Sequence, residues 1–317
     1  MLLLLLLLCY QDEGFHQNAG ILVAAAAFTF TTSPSISPLG VSALRTRGGA
    51  TSCSLPSTTT LAAAAALPTC LGLWRTGYTV SYGYGGAMTA SGAAMMLCAE
   101  TILAKAHAAA FIFYGLRLNL FLLYRELTLP VDVHQMKRRE ASLAARLKRA
   151  PVIIGCSLLY YLMAAPLRVT ALAPGGHAAA TAAVAVTFVG FGVAATGDIM
   201  KTVVKAREGK DFLVTGGPFR WLRHPNYSGE LVGWTASVMA SILAAVASGA
   251  SFARTVAAWL VGAMLGWVGI LFVLAGEATA GLEKKQRAKY GGTEKYEAWV
   301  KRSWAGPMLA IGASGST

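Results

Sequence analysis

The residues best suited to chemistry crowd into one stretch, Gly216-Gly-Pro-Phe-Arg-Trp-Leu-Arg-His-Pro-Asn-Tyr-Ser-Gly-Glu230. Arg220, Arg223 and His224 can meet phosphate or carboxylate groups. Trp221 and Tyr227 offer flat ring surfaces, and Asn226 and Glu230 add hydrogen-bonding groups. Pro218 and Pro225 break helical continuity, while Gly216, Gly217 and Gly229 permit tight backbone. The stretch stands directly before an apolar run, and non-helical polar backbone at a membrane border must be satisfied by protein, water or ligand. Trp, Tyr and Arg also serve as headgroup-level anchors. An anchor needs no Arg-His-Pro-Asn-Tyr order, so ligand binding is the preferred reading. Upstream, Lys201 and Lys205 lie one helical turn apart and share a face. Alone, that pair would be an ordinary solvated basic face.

The elements that must position these residues are membrane helices. The 317 residues are 55% hydrophobic and only 13% charged, with mean hydropathy +0.54. A soluble domain carries about 25% charged residues, so the bilayer is the expected solvent. Six spans are expected: Tyr78–Cys98, Ala106–Leu123, Pro151–Leu172, His177–Ala195, Leu231–Ser248 and Ala257–Ala275. The result is an all-α, polytopic helix bundle. Its 27 Lys and Arg against 14 Asp and Glu concentrate in blocks 125–149, 198–223 and 277–302, after the second, fourth and sixth spans. All three blocks therefore share one face, expected to be cytosolic or stromal. Long apolar runs assign the net charge of +13 to lipid headgroups rather than to nucleic acid. Five scattered cysteines without a CxxC argue against zinc and structural disulfides. His107, His134 and His177 have no metal-ligand spacing, so no metal is expected.

The first seventy residues differ from the rest. No Asp or Glu occurs between Glu13 and Glu100, and 15 of the 32 residues from Thr29 to Thr60 are Ser or Thr. A short apolar stretch, Gly20 to Phe28, precedes them. This is the composition of a targeting presequence, expected over residues 1 to about 70 and cleaved, leaving a membrane domain over 71–317. The Ala27-Phe28 junction followed by a Ser/Thr-rich segment resembles the bipartite presequences of algae with complex plastids, which implies a plastid, with the endoplasmic reticulum as alternative. A low-complexity tail without a targeting role is the competing explanation.

Arg223-His-Pro-Asn-Tyr-Ser-Gly-Glu230 resembles the RHPNYxGE/D signature of the steroid 5-alpha-reductase and sterol reductase superfamily. The chain is most similar to its branch with a steroid 5-alpha-reductase-like C-terminal domain. The likeness extends to Asp198-Ile-Met-Lys201 with Lys205, to Tyr114 through Glu126, and to Leu282-Glu-Lys-Lys with Lys289-Tyr-Gly and Tyr296. It implies an NADPH pocket on the cytosolic or stromal side and reduction of a C=C bond in a lipophilic substrate. It also implies roles for individual residues. Lys201 and Lys205 would grip phosphate, supplemented by Arg223 and His224. Asn226 and Tyr227 would bind nicotinamide or ribose, and Glu230 would orient one of them. Trp221 would add a ring surface, and Tyr290 and Tyr296 would close the pocket. Tyr124 or Glu126, at the border of the second span, would be the proton donor. Arg117 and Asn119, inside that span, are further candidates.

The same architecture resembles the membrane methyltransferases acting on isoprenylcysteine or phospholipid, which bind S-adenosylmethionine. Many of those carry two adjacent glutamates where this chain has Glu283 followed by Lys284 and Lys285. Two basic residues at 201 and 205 also suit a cofactor with several phosphates. A third alternative is a non-catalytic, lipid-binding membrane protein. Membrane lipids are expected neighbours in every case. The substrate's identity and the oligomeric state are not legible in the sequence.

Overall fold

The computed structural model describes residues 55–128, 143–173, 177–249 and 253–307. Ser57 opens the first helix, its hydroxyl accepting from the Thr60 backbone N–H, and a run of alanines carries α1 over Thr58–Thr69. Two 3-10 turns, Cys70–Leu73 and Thr76–Tyr78, lead to α2, Tyr82–Cys98, which folds back along α3, Ile102–Thr128. After a short helical turn at Leu143–Leu147 come α4, Ala150–Met163, and α5, Ala165–Leu172. Pro166 stands in the first turn of α5, and the helix path changes at Ala164. The long α6, Ala178–Glu208, is followed by the 3-10 turn Gly217–Arg220 and α7, Pro225–Ala247. The helix α8, Arg254–Leu271, runs through a π-helical segment, Phe272–Ala278, into α9, Thr279–Tyr290; α10, Glu294–Arg302, follows. Among the described residues there is no strand, only an isolated bridge between Leu222 and Trp304.

Five helical stretches are long and apolar enough to cross a membrane: Ile102–Leu127, Leu143–Leu172, Ala178–Glu208, Pro225–Ala247 and Arg254–Tyr290. The expected sixth span, Tyr78–Cys98, is not among these five. It forms the 17-residue α2, about 26 Å at 1.5 Å per residue, short of the roughly 30 Å hydrocarbon core. Small residues let α2 lie close on α3. A Cβ on Gly92 would stand 2.8 Å from the Ala108 carbonyl oxygen, and one on Gly115 only 2.2 Å from that of Gly85.

The presequence boundary expected at residue 70 also meets a structural fact. The compact unit begins at Leu55, and Leu61, Ala65 and Thr69 of α1 are fully buried. The remainder of that segment, 1–54, lies outside the described residues.

The core is aromatic: Tyr84, Phe111, Tyr114, Tyr160, Phe191 and Trp234 are all buried in one cluster. The most extensive helix contact joins α6 to α7, where a Cβ on Gly190 would meet the Gly233 backbone nitrogen at 2.4 Å. At 31 residues, α6 is about 46 Å long. It overshoots a bilayer core and carries its last turns, with Lys201 and Lys205, into the polar layer. Gly209, at φ 98°, ends it.

Candidate functional site

The polar ends of α3, α6, α7 and α9 meet on one side of the bundle. There the Arg-His-Pro-Asn-Tyr segment is pinned by backbone hydrogen bonds. The Arg223 N–H donates to the Trp304 carbonyl, and the Trp304 N–H donates to that of Trp221, both at 2.8 Å. The Arg223 side chain turns inward. Its Nε donates to Glu283 Oε1 at 2.9 Å, and its Nη1 to the carbonyls of Val300 at 3.1 Å and Ser303 at 2.7 Å. His224 Nε2 lies 2.6 Å from the same Glu283 oxygen. One carboxylate thus ties the start of α7 to α9, while Arg223 holds the chain after α10. Arg223 and His224, expected at a cofactor, are occupied by protein partners. Tyr296, also expected there, is buried beside Leu213 and Trp299, and its burial pushes the phenol up. Trp221 is 66% exposed.

Beside this clasp opens a cavity of about 130 Å³ lined by Lys201, Lys205, Phe212, Leu213, Val214, Phe219, Leu282, Lys285, Gln286, Lys289 and Tyr290. Four lysines from two helices surround it. Lys205 donates to the Lys210 carbonyl at 2.7 Å, and Lys289 pairs with Asp211. That bond from Lys289 holds the Asp211 carboxyl below its usual range. Gln286 Oε1 is buried without a protein partner, which leaves an acceptor on the cavity wall. Lys201, Lys205 and Tyr290 were legible in advance. Lys285, Gln286 and Lys289 were not assigned, because only the cavity that α9 and α6 line together reveals which face of α9 is turned to it. Their i, i+4 spacing was the available signal.

Deeper, Arg117 Nη1 donates to Asp198 at 2.8 Å, and Nη2 reaches Glu230 at 3.4 Å. Asn226 approaches the same Asp198 carboxyl. Tyr227 packs 6.1 Å from the His224 ring. The expected proton donors separate. Glu126 accepts from Arg75 at 2.8 Å, from Tyr82 at 2.7 Å and from Tyr78, forming a second clasp near the start of α2. Tyr124 is 53% exposed on the outer face of α3, away from the cavity lining. Arg75, Tyr78 and Tyr82 had no functional signal in the sequence.

The chain belongs to the family described as a protein of unknown function, DUF1295, whose model matches residues 79–303. That range takes in the lysine cavity, the Glu283 clasp and the Arg117 ion-pair group. No curated protein and no solved structure matches the chain.

Proposed function

We propose that this chain is an integral membrane reductase that takes NADPH in the lysine cavity and reduces a C=C bond of a lipophilic substrate held within the bundle. The observation that carries the reading is the convergence of Lys201, Lys205, Lys285 and Lys289 on one cavity. Four ammonium groups suit a phosphate-rich ligand. They oppose S-adenosylmethionine, which carries a sulfonium cation and no phosphate. A pocket for a whole drug-sized ligand measures about 300–1,000 Å³, so 130 Å³ fits the phosphate end of a dinucleotide. The rest would lie along the α6–α7 end, toward Asn226 and Tyr227.

When bound, NADPH would supply a hydride to the β-carbon of a conjugated alkene, and the α-carbon would take its proton from water entering at the polar end of the bundle. The chain's own residues do the remainder. The lysines hold phosphate charge, Gln286 accepts a hydroxyl or amide proton, and Tyr290 walls the cavity. Arg223, His224 and Glu283 act at one remove, by fixing α9 so that Lys285 and Lys289 face Lys201 and Lys205. The Arg117, Asp198 and Glu230 group separates this wet end from the aromatic core. The resemblance to steroid 5-alpha-reductase-like proteins supports the same assignment. The presequence-like composition of residues 1 to about 70 supports a plastid membrane, with the endoplasmic reticulum as alternative.

The test is thermal unfolding of the purified chain in detergent with NADPH, NADH or S-adenosylmethionine. A ligand at a hundred times its dissociation constant stabilises by about 2.7 kcal/mol. NADPH is expected to stabilise most, and Lys201→Ala and Lys285→Ala each to abolish the preference over NADH. Stabilisation by S-adenosylmethionine, or none by NADPH, would overturn the proposal.

A further inference from the structure

Two of the chain's seven tryptophans are exposed, and the fold brings them together. Trp221 is 66% exposed and Trp304 59%, whereas Trp234 and Trp299 are buried. Trp221 stands before α7 and Trp304 after α10, yet a bridge between Leu222 and Trp304 joins their segments. The Trp304 N–H donates to the Trp221 carbonyl and the Arg223 N–H to the Trp304 carbonyl. Both residues therefore belong to one patch fixed by backbone, and neither lines the lysine cavity. Arg220 lies over the Trp221 ring, 5.9 Å from its centroid. Lys301 and Arg302 are exposed in the last turn of α10. The two segments that build the patch carry no Asp or Glu between Asp211 and Glu230 or after Glu297.

The depth of this patch follows from the helix beside it. α7 is long and apolar enough to span, beginning at Pro225. Its 23 residues measure about 34 Å at 1.5 Å per residue, close to the roughly 30 Å of a hydrocarbon core. Pro225 thus stands at the border of that core, which puts Trp221, one turn's worth of chain earlier, at headgroup level. An indole has an apolar body and a polar N–H, and suits that layer better than water or hydrocarbon. Large apolar groups exposed side by side mark a contact surface. The adjoining cations decide which surface. Arginine and lysine without nearby acids on their own segments complement phosphate-bearing, negatively charged lipids. An anionic leaflet supplies both contacts at this depth, a bed for the rings and charge for the cations.

We propose that Trp221 and Trp304, with Arg220, Lys301 and Arg302, form a docking surface for anionic phospholipid headgroups on the lysine-cavity side of the membrane. The end of α10 then lies against the leaflet instead of standing off in water. The lipid also backs the clasp, because the same bridged segment turns Arg223 inward to Glu283. Trp221, expected to add a ring surface to a cofactor, meets lipid instead. The inference holds whatever the lysine cavity binds.

The test places the full chain in phosphatidylcholine nanodiscs, with and without phosphatidylserine, and reads tryptophan fluorescence and Tm. One quencher is a lipid carrying a nitroxide on its headgroup, and the other is acrylamide in the water. The variants are the double Trp221→Phe/Trp304→Phe and the triple Arg220→Gln/Lys301→Gln/Arg302→Gln. Lys105→Gln, exposed near the opposite end of α3, is the control. The nitroxide should quench wild type, and the tryptophan double should lose much of that quenching while its acrylamide quenching hardly changes. Phosphatidylserine should raise the wild-type Tm and lower acrylamide quenching. A cation near an anionic leaflet is worth about fivefold in affinity, so the triple should lose most of both responses and Lys105→Gln neither. Loss of acrylamide quenching in the double, with nitroxide quenching unchanged, would put both tryptophans in water and overturn the proposal. So would a triple variant that responds to phosphatidylserine as wild type does. The wild-type measurement stands without any variant: if phosphatidylserine alters neither Tm nor quenching, the anionic surface falls.

Discussion

Replacing Glu283 by alanine removes the one carboxylate that Arg223 and His224 share, at 2.9 and 2.6 Å. Breaking a buried charge pair by deleting one partner costs about 3–5 kcal/mol. Two features lower that figure here. Arg223 keeps the Val300 and Ser303 carbonyls, and the Glu283 side chain is 19% exposed. About 2–3 kcal/mol remains, an expected fall in Tm of about 4–12 °C for a unit of this size. Arg223→Ala should cost as much, since it empties the same clasp and frees the chain after α10. The double variant should cost clearly less than the sum, by a coupling of about 1 kcal/mol or more. Tryptophan-fluorescence melts in detergent, repeated with NADPH, read all of these. NADPH should still stabilise the three variants, more weakly, because Lys285 and Lys289 are held less firmly against Lys201 and Lys205. The reasoning is refuted if Arg223→Ala leaves Tm unchanged yet abolishes NADPH stabilisation. Arg223 would then touch the cofactor directly, as the sequence alone led one to expect.

Other outcomes follow from the packing. Gly229→Ala would press a Cβ to 2.5 Å from the Ala194 nitrogen and should destabilise by about 1–3 kcal/mol or more, the cost of overpacking, read as a lower Tm and yield. Gly155→Ala meets nothing within 4 Å and should leave Tm unchanged or raise it, because alanine favours a helix by up to about 1 kcal/mol over glycine. Tyr124→Phe, at a position 53% exposed on α3, should leave NADPH stabilisation unchanged; its loss would return Tyr124 to the site. If a leader is removed, N-terminal sequencing of the mature protein should place the cut before Leu55, since a cut near residue 70 would strip the buried Leu61, Ala65 and Thr69 from the bundle.

The helical architecture was legible because burying apolar surface in lipid leaves a periodic record: long apolar runs, with cations gathered between them on one side. The length of α2 was not, since glycine and serine hide whether a helix spans or merely packs against a spanning neighbour. At the site, residue type and position diverged. Lys201, Lys205 and Tyr290 could be placed because a helix fixes its own faces. Arg223 and His224 have the chemistry of ligand-binding groups, and both meet Glu283, a neighbour about 60 positions away; no local pattern announces such a pairing.

The π-helical segment Phe272–Ala278 has a consequence for insertions and deletions. A π turn accommodates one residue more than an α turn, and each residue turns a helix by about 100°. The segment therefore sets the rotational phase of everything after it in the same continuous helix, Glu283, Lys285, Gln286 and Lys289 included. Loss of one residue between 272 and 278 would restore regular winding and swing α9 by roughly a quarter turn, carrying Glu283 away from His224 while every side chain stayed chemically intact. The site is thus more vulnerable to a change in length a few turns up the same helix than to many changes of residue type along it.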